Sequence, residues 1–313
     1  MMGRGKRIRR TPRSVRHAVL LGASVLGVAW ASDVSIASAA VRAPQVEQRI
    51  VLVTGSTSGL GREVARRLAS TGAHVIVHGR NQERGMTLVE EIEREGVGSA
   101  RFYRADFASL KEVRELGETI LRDYDRLDVL VNNAGIGSRV PPVRTLTEDG
   151  YELRFQVNYL SHVLLTQILL DRIVASAPAR IVNVSSGGQT PIDFDDPMME
   201  EGYSGLRAYN QSKLAQVMYT FELARKLEGT GVVVNTLHPA TFMDTRMARM
   251  GGFVPRSTVA EGADGVMKLI ETADLESGQY FNRLEPARAN DQAYDEEARA
   301  KLWKLSEELV RGS

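Results

Sequence analysis

From residue 49 onward the chain alternates short apolar runs with longer amphipathic stretches. Residues 49–54 form an apolar run suited to a buried central strand, and residues 62–70 follow as a helix with Val64, Ala65 and Leu68 on its inner face. A second strand is expected at 74–78, after the turn at Gly72, and a helix at 83–95. A third strand at 100–104 leads to a helix at 109–124, in which Leu110, Val113, Leu116 and Ile120 recur three or four apart. The pattern continues with a strand at 128–131, a long helix at 151–173, a strand at 180–184 and a helix at 207–227. It closes with a β-branched strand at 232–237, a helix at 258–271, a short strand at 279–281 and an outer helix at 294–309. No repeat period or heptad organises these elements, so the economical solution is an α/β doubly wound sheet with mostly parallel strands and helices on both faces.

No linker rich in Pro, Gly or Ser divides the region after residue 45, so residues 46–313 read as one domain. Residues 1–45 differ in kind: seven of the first 16 residues are basic, and an apolar stretch follows at 18–31. That order, with Ala37-Ser38-Ala39 as a cleavage site, matches a signal peptide, and the adjacent Arg9 and Arg10 allow a twin-arginine export signal. Pro12, Arg13 and Asp33 argue against export and leave a basic leader on a cytoplasmic enzyme as the first reading. A membrane anchor is a third reading, although 14 helical residues rise only about 21 Å against a hydrocarbon core of roughly 30 Å.

Forty basic and 39 acidic residues nearly cancel, which gives no electrostatic case for nucleic acid. The absence of cysteine excludes disulfides, thiolate nucleophiles and cysteine metal sites. The acidic Asp193, Asp195 and Asp196 read as a solvated rim, and no metal site is expected.

Between the first strand and its helix lies Thr54-Gly-Ser-Thr-Ser-Gly-Leu-Gly61. Backbone N–H groups of such a turn, together with a helix start, receive a diphosphate, which places Gly55, Ser56, Ser58, Gly59, Leu60, Gly61 and Arg62 at a dinucleotide. The loop lacks the Lys-Ser/Thr ending of a nucleoside-triphosphate loop. At the end of the second strand stands Gly79-Arg80-Asn81 rather than a carboxylate; a cation there suits a 2′-phosphate, so NADP(H) is preferred and NAD(H) is the alternative. Arg62 is a second basic candidate. Asp106, with Phe107 beside it, follows the third strand as an acceptor for the adenine amino group or as a helix cap. Asn132-Asn133-Ala134-Gly135 brings backbone close to the cofactor at the end of the fourth strand, or is simply a tight turn.

Tyr209 and Lys213, four apart on a helix, share one face. A phenol titrates near 10 in water, and a neighbouring cation favours its ionised form, so Lys213 is expected to make Tyr209 a proton relay. In carbonyl reduction the Tyr209 hydroxyl protonates the developing alkoxide, and in oxidation it accepts the alcohol proton. Ser186 is expected to hydrogen-bond the carbonyl oxygen, and Asn158 to support a water chain to Lys213. Backbone near Pro239 is a further cofactor contact.

These residues in this order resemble the short-chain dehydrogenase/reductase family, over approximately residues 48–285. The resemblance rests on the glycine segment at 54–61, Asn132 to Gly135, Asn158, Ser186 and Tyr209-x-x-x-Lys213. It implies a seven-stranded Rossmann sheet, the residue roles just given, and a homodimer or homotetramer. The 22 residues between Ser186 and Tyr209, and the approach Arg180-Ile-Val-Asn-Val-Ser-Ser186, are similar to the retinol-dehydrogenase and WW-domain oxidoreductase-like branch. Pro239-Ala240 departs from the family's Pro-Gly.

Substrate walls are expected from loops near 187–205 and 241–255. Phe194, Met198, Met199 and Tyr203 in the first, and Phe242, Met243, Met247, Met250 and Phe253 in the second, suit an apolar aldehyde, ketone or alcohol; core packing explains them equally well. Two other readings stand beside the oxidoreductase: a catalytically silent dinucleotide-binding interaction protein, against which the intact Ser-Tyr-Lys set argues, and a nucleotide-sugar epimerase or dehydratase.

Overall fold

In the computed structural model, which describes residues 48–311, short runs rich in β-branched or aromatic residues give the strands β1 (Ile50–Val53), β2 (His74–Gly79), β3 (Ser99–Arg104) and β4 (Val129–Asn132). They also give β5 (Ala179–Val184), β6 (Val232–His238) and β7 (Tyr280–Asn282). These seven strands pair in parallel in the order β3-β2-β1-β4-β5-β6-β7. An eighth strand, β8 (Glu285–Pro286), lies outside the expected seven; it folds back antiparallel on β7 through Arg283, which adopts φ 59°. Two residues are too short for an alternating pattern to announce them.

Both faces of the sheet are buried. Leu52, Ile76, Leu130 and Ile181 point into one core, while Val51, Val53, Val75, Val77, Val129, Val131 and Val182 point into the other. This two-sided burial is why the strands read as continuous apolar runs. The valine face is covered by α1 (Gly59–Ser70), α2 (Gln82–Glu95) and α8 (Val259–Glu271). The opposite face is covered by α3 (Leu110–Asp123), α5 (Ser161–Ala175), α6 (Gly205–Lys226) and α9 (Glu296–Arg311).

The helix expected at 151–173 is interrupted. It begins as a single turn, α4 (Leu153–Phe155), passes through a π-helical turn at Gln156–Leu160, and only then runs on as α5. Hydrophobic spacing does not separate an i+5 turn from an i+4 turn over five residues, and Asn158 sits in that turn. A short helix, α7 (Arg246–Met250), forms within the segment expected to be a substrate loop.

The leader at 1–45 lies outside the described residues. Among the described residues, no helix is long and apolar enough to cross a membrane, and no group of three or more His, Asp or Glu side chains forms a metal site.

Candidate active site

Strand order reverses between β1 and β4, which places the crevice at the carboxyl ends of these strands, where open α/β sheets bind ligands. Thr54, fully buried at the end of β1, organises it. Its Oγ accepts from the N–H groups of Asn133 (2.9 Å) and Ala134 (3.0 Å), while Asn133 Nδ2 donates to Thr54 O (2.8 Å). A side chain at Gly55 would meet Ala134 Cα at 2.7 Å, and one at Gly61 would collide with Asn133. These two glycines therefore allow the Asn132–Gly135 turn to lie against the first loop, whatever the loop holds. Gly59 adopts φ 55°, a left-handed conformation that favours glycine.

Two residues of the loop face inward. Ser56 Oγ accepts from His78 N–H (3.0 Å), and Leu60 is buried in the valine-face core. Ser58 is exposed and supplies no side-chain cap to α1, whose first turn also carries no acidic residue. By contrast, Asn81 caps α2, Ser109 caps α3 and Ser204 caps α6. An uncapped helix start with free donors fits a diphosphate.

His78, which sequence reasoning passed over, holds this loop. Gly55 N–H donates to its Nδ1 (3.2 Å), and Nε2 faces Ala105 O (3.2 Å), which fixes the Nε2–H tautomer. Burial pushes its pKa down to about 4, so the folded protein keeps it neutral while the unfolded chain takes up a proton near 6.5. Stability is therefore lost as pH falls through that window, by up to about 1.4 kcal/mol per pH unit. Urea unfolding of His78→Gln between pH 6.5 and 4 is expected to show a visibly flatter decline than the wild type; parallel curves would exclude this role.

Arg80 is exposed at the end of β2, with Nη1 3.4 Å from Asp106 Oδ2. Asp106 accepts from Ala108 N–H (3.0 Å), closing a turn, while the cap of α3 is Ser109. The ring of Phe107 stacks on His78 within the core, leaving backbone alone to face a ligand there. Arg62 pairs with Glu91, so it is less free than Arg80.

Tyr209 and Lys213 lie one turn apart on α6, and Ser186 follows β5. The Tyr209 phenol is buried near Ser186, whose Oγ accepts from Gly188 N–H (3.1 Å); burial pushes the phenol up, and the Ser186 hydroxyl draws it part of the way back. Lys213 Nζ lies 5.9 Å from the phenol ring centroid and donates to Val184 O (2.9 Å) and Gln216 Oε1 (2.8 Å). Burial lowers its own pKa to about 7. The phenol, raised by burial, is held as a proton donor.

Asn158 joins the two halves of the site through its side chain. Its Oδ1 accepts from Ile136 N–H (2.8 Å), and its Nδ2 donates to Ser212 Oγ (3.0 Å), which in turn donates to Tyr209 O (2.7 Å). Ser185 Oγ donates to Lys213 O (2.7 Å) and ties α6 to β5. Pro239 is buried just beyond β6. His238, another residue missed from sequence, packs beside Gly187 and bonds Thr241 Oγ through Nε2 (3.0 Å).

The two expected substrate loops differ. In the first, Met199 is buried and Phe194 and Met198 pack against the core. Tyr203 there binds the fully buried Arg154, which also donates to Gly137 O (3.0 Å) and Ser138 O (3.1 Å) and so locks the wall to the loop after β4. In the second, Met243 packs against the valine-face core, whereas Phe242 and Phe253 stack at 4.5 Å near the surface, with Arg139 over Phe253. Met247 and Met250 are exposed, and Met247 lies against Gly137. An adaptable apolar wall comes from this second loop.

The comparisons with known proteins agree with this geometry. Residues 49–251 match the short chain dehydrogenase family. Retinol dehydrogenase 13 of Mus musculus is 35% identical over 312 residues, covering 93% of this chain and 92% of that protein. Retinol dehydrogenase 14 of Homo sapiens is 38% identical, covering 84% and 86%. Among solved structures, a short chain dehydrogenase from Escherichia coli CFT073 complexed with NADPH superposes with a TM-score of 0.63 at 27% identity, over 76% of this chain and 97% of that one. The chain belongs to the short-chain dehydrogenase/reductase family and is an NAD(P)-dependent oxidoreductase.

Proposed function

We propose that this enzyme interconverts a carbonyl and an alcohol with NADP(H) as the preferred dinucleotide, on a small to medium apolar substrate. The observation that carries the reading is the placement of Ser186 beside the buried phenol of Tyr209, with Lys213 one helical turn behind, on the same edge of the sheet as the uncapped start of α1. The N–H groups of Gly59, Leu60 and Gly61 would receive the diphosphate, Arg80 a 2′-phosphate, and the backbone of Asn133 to Gly135 and of Pro239 the nicotinamide half. When bound, the dinucleotide supplies or accepts the hydride at the substrate carbon.

The chain's own residues handle the oxygen. Ser186 Oγ donates to the carbonyl oxygen and holds it beside Tyr209. The Tyr209 hydroxyl, held protonated by burial, gives its proton to that oxygen as negative charge develops. Lys213 uses two donors on Val184 and Gln216, and its protonated form retains a third for a ribose hydroxyl. In the oxidative direction Tyr209 takes the alcohol proton instead. The exposed Met247 and Met250 and the Phe242–Phe253 pair support an apolar substrate, as do relatives named for retinol, an apolar alcohol.

A screen of carbonyls and alcohols with both cofactors, read at the absorbance of the reduced nicotinamide, tests the reading; no turnover across chemically diverse substrates would reject it. Arg80→Asp is expected to raise the KM for NADPH about 10- to 100-fold, the scale of a lost charge-assisted hydrogen bond, while changing that for NADH little. Equal changes for the two cofactors would remove Arg80 from the phosphate. Assembly as a homodimer or homotetramer belongs to the same reading, and light scattering on the eluting enzyme checks it.

A further inference from the structure

Behind the catalytic helix a chain of buried polar side chains runs from Lys213 to Gln216 and His162, which the proposed reaction does not use. Lys213 Nζ donates to Gln216 Oε1 (2.8 Å), and Gln216 Nε2 lies 3.2 Å from His162 Nδ1. His162 Nδ1 is also 3.0 Å from Asn158 O, and its Nε2 is 3.4 Å from Thr54 Oγ. None of these five residues is more than 5% exposed, so each polar atom there is costly unless it is partnered. An apolar core would fill the same space without that demand.

The partners impose a constraint. Burial, with Lys213 as a further cause, pushes the pKa of His162 down to about 3, so the ring carries one proton. Its Nδ1 faces an acceptor, Asn158 O, and an amide donor, Gln216 Nε2, and one proton cannot satisfy both. A charged Lys213 can only donate. It therefore holds Gln216 Oε1 toward itself and turns Nε2 toward His162, whose Nδ1 must accept, leaving Nε2–H beside a Thr54 Oγ that already accepts from Asn133 and Ala134 N–H. A neutral Lys213 can accept instead, which lets the amide turn over and lets His162 carry its proton on Nδ1, toward Asn158 O. The two protonation states of the lysine thus favour different sets of hydrogen bonds, and in the second the Thr54 hydroxyl can donate to His162 Nε2.

We propose that Gln216 and His162 are positioning residues that hold the Lys213 amine and couple its protonation to the tautomer of a neutral histidine; this rests on the reading of Tyr209 and Lys213 as the catalytic pair. The groups that face this chain are Tyr209 and Ser212 on α6, Asn158 in the π turn, Val184 O from β5, Gly135 from the loop after β4, Thr54 from β1 and, acting on His162, His78 from β2.

Two measurements test it. In the first, nitrogen NMR of the ring of His162 in the wild-type enzyme is followed against pH. The signals are expected to pass from an Nε2–H to an Nδ1–H pattern as Lys213 loses its proton, without an imidazolium, and to stop doing so in Lys213→Met. Signals that do not change with pH would overturn the proposal. The second is the pH dependence of kcat at saturating cofactor and substrate. Gln216→Glu, which puts a carboxylate on the amine, is expected to move the limb set by Lys213 upward by about one pH unit, and Gln216→Leu downward with an about tenfold lower kcat at pH 7, each with little change in KM. Wild-type profiles in both variants would equally overturn it. Tyr209→Phe separates the two levels: if it abolishes turnover while the Gln216 variants behave as wild type, only the positioning role falls; if it leaves turnover intact, the parent reading falls.

Discussion

Tyr209→Phe is expected to lower kcat by about 10²- to 10⁴-fold, the range associated with a positioned proton donor, while leaving dinucleotide affinity within about twofold of wild type. The substitution removes one oxygen and keeps the ring, so packing on α6 is preserved. What disappears is the buried O–H beside Ser186. Cofactor contacts at the α1 start and at Arg80 are untouched, which is why binding and turnover should separate. Dinucleotide binding measured by fluorescence, alongside steady-state turnover, reads both. A variant that turns over normally would remove Tyr209 as the acid/base.

Lys213→Met is expected to reduce kcat by a comparable factor and also to change how stability depends on pH. Burial holds the pKa of the folded lysine at about 7, whereas the unfolded chain titrates near 10.5. Between these values the unfolded state binds more protons, so the wild type gains stability as pH rises through the window, and the cost of the buried cation is complete below it. Methionine has no such cost. The melting temperature of the variant relative to wild type should therefore be higher at pH 6.5 than at pH 9.5, by about 5–10 °C, corresponding to about 2–3 kcal/mol. A difference independent of pH would show that the amine is not buried as described.

The legible part of this chain was its hydrophobic architecture. Valine and isoleucine runs marked β1, β2, β4, β5 and β6 because both faces of the sheet are buried, and the i, i+4 pairing of Tyr209 with Lys213 survives in α6. The direction of individual side chains at strand ends was less legible. Ser56, Leu60 and Phe107 sit in the expected cofactor stretches, yet their side chains turn inward, Ser56 to His78 N–H, Leu60 to the core face of α1 and Phe107 onto His78. Thr54, His78 and His162 look like ordinary polar residues in sequence, and their importance comes from partners 77, 22 and 54 positions away. The π turn carrying Asn158 was hidden for a related reason: every residue from Gln156 to Leu160 is buried, so no polar face shows where the helix changes its winding. The i, i+4 spacing of Tyr209 and Lys213 pointed to proximity, whereas the burial that lowers the amine's own pKa is invisible in spacing.

The account stands on the phenol oxygen of Tyr209 reaching the same substrate oxygen whose carbon meets the hydride. A crystal structure with NADP⁺ and an alcohol or inert carbonyl analogue measures this directly. The account predicts the ligand oxygen at about 3 Å from both Tyr209 Oη and Ser186 Oγ, with its carbon facing the nicotinamide ring. A ligand oxygen held by other groups, with Tyr209 pointing away from the ring's reactive face, would contradict it.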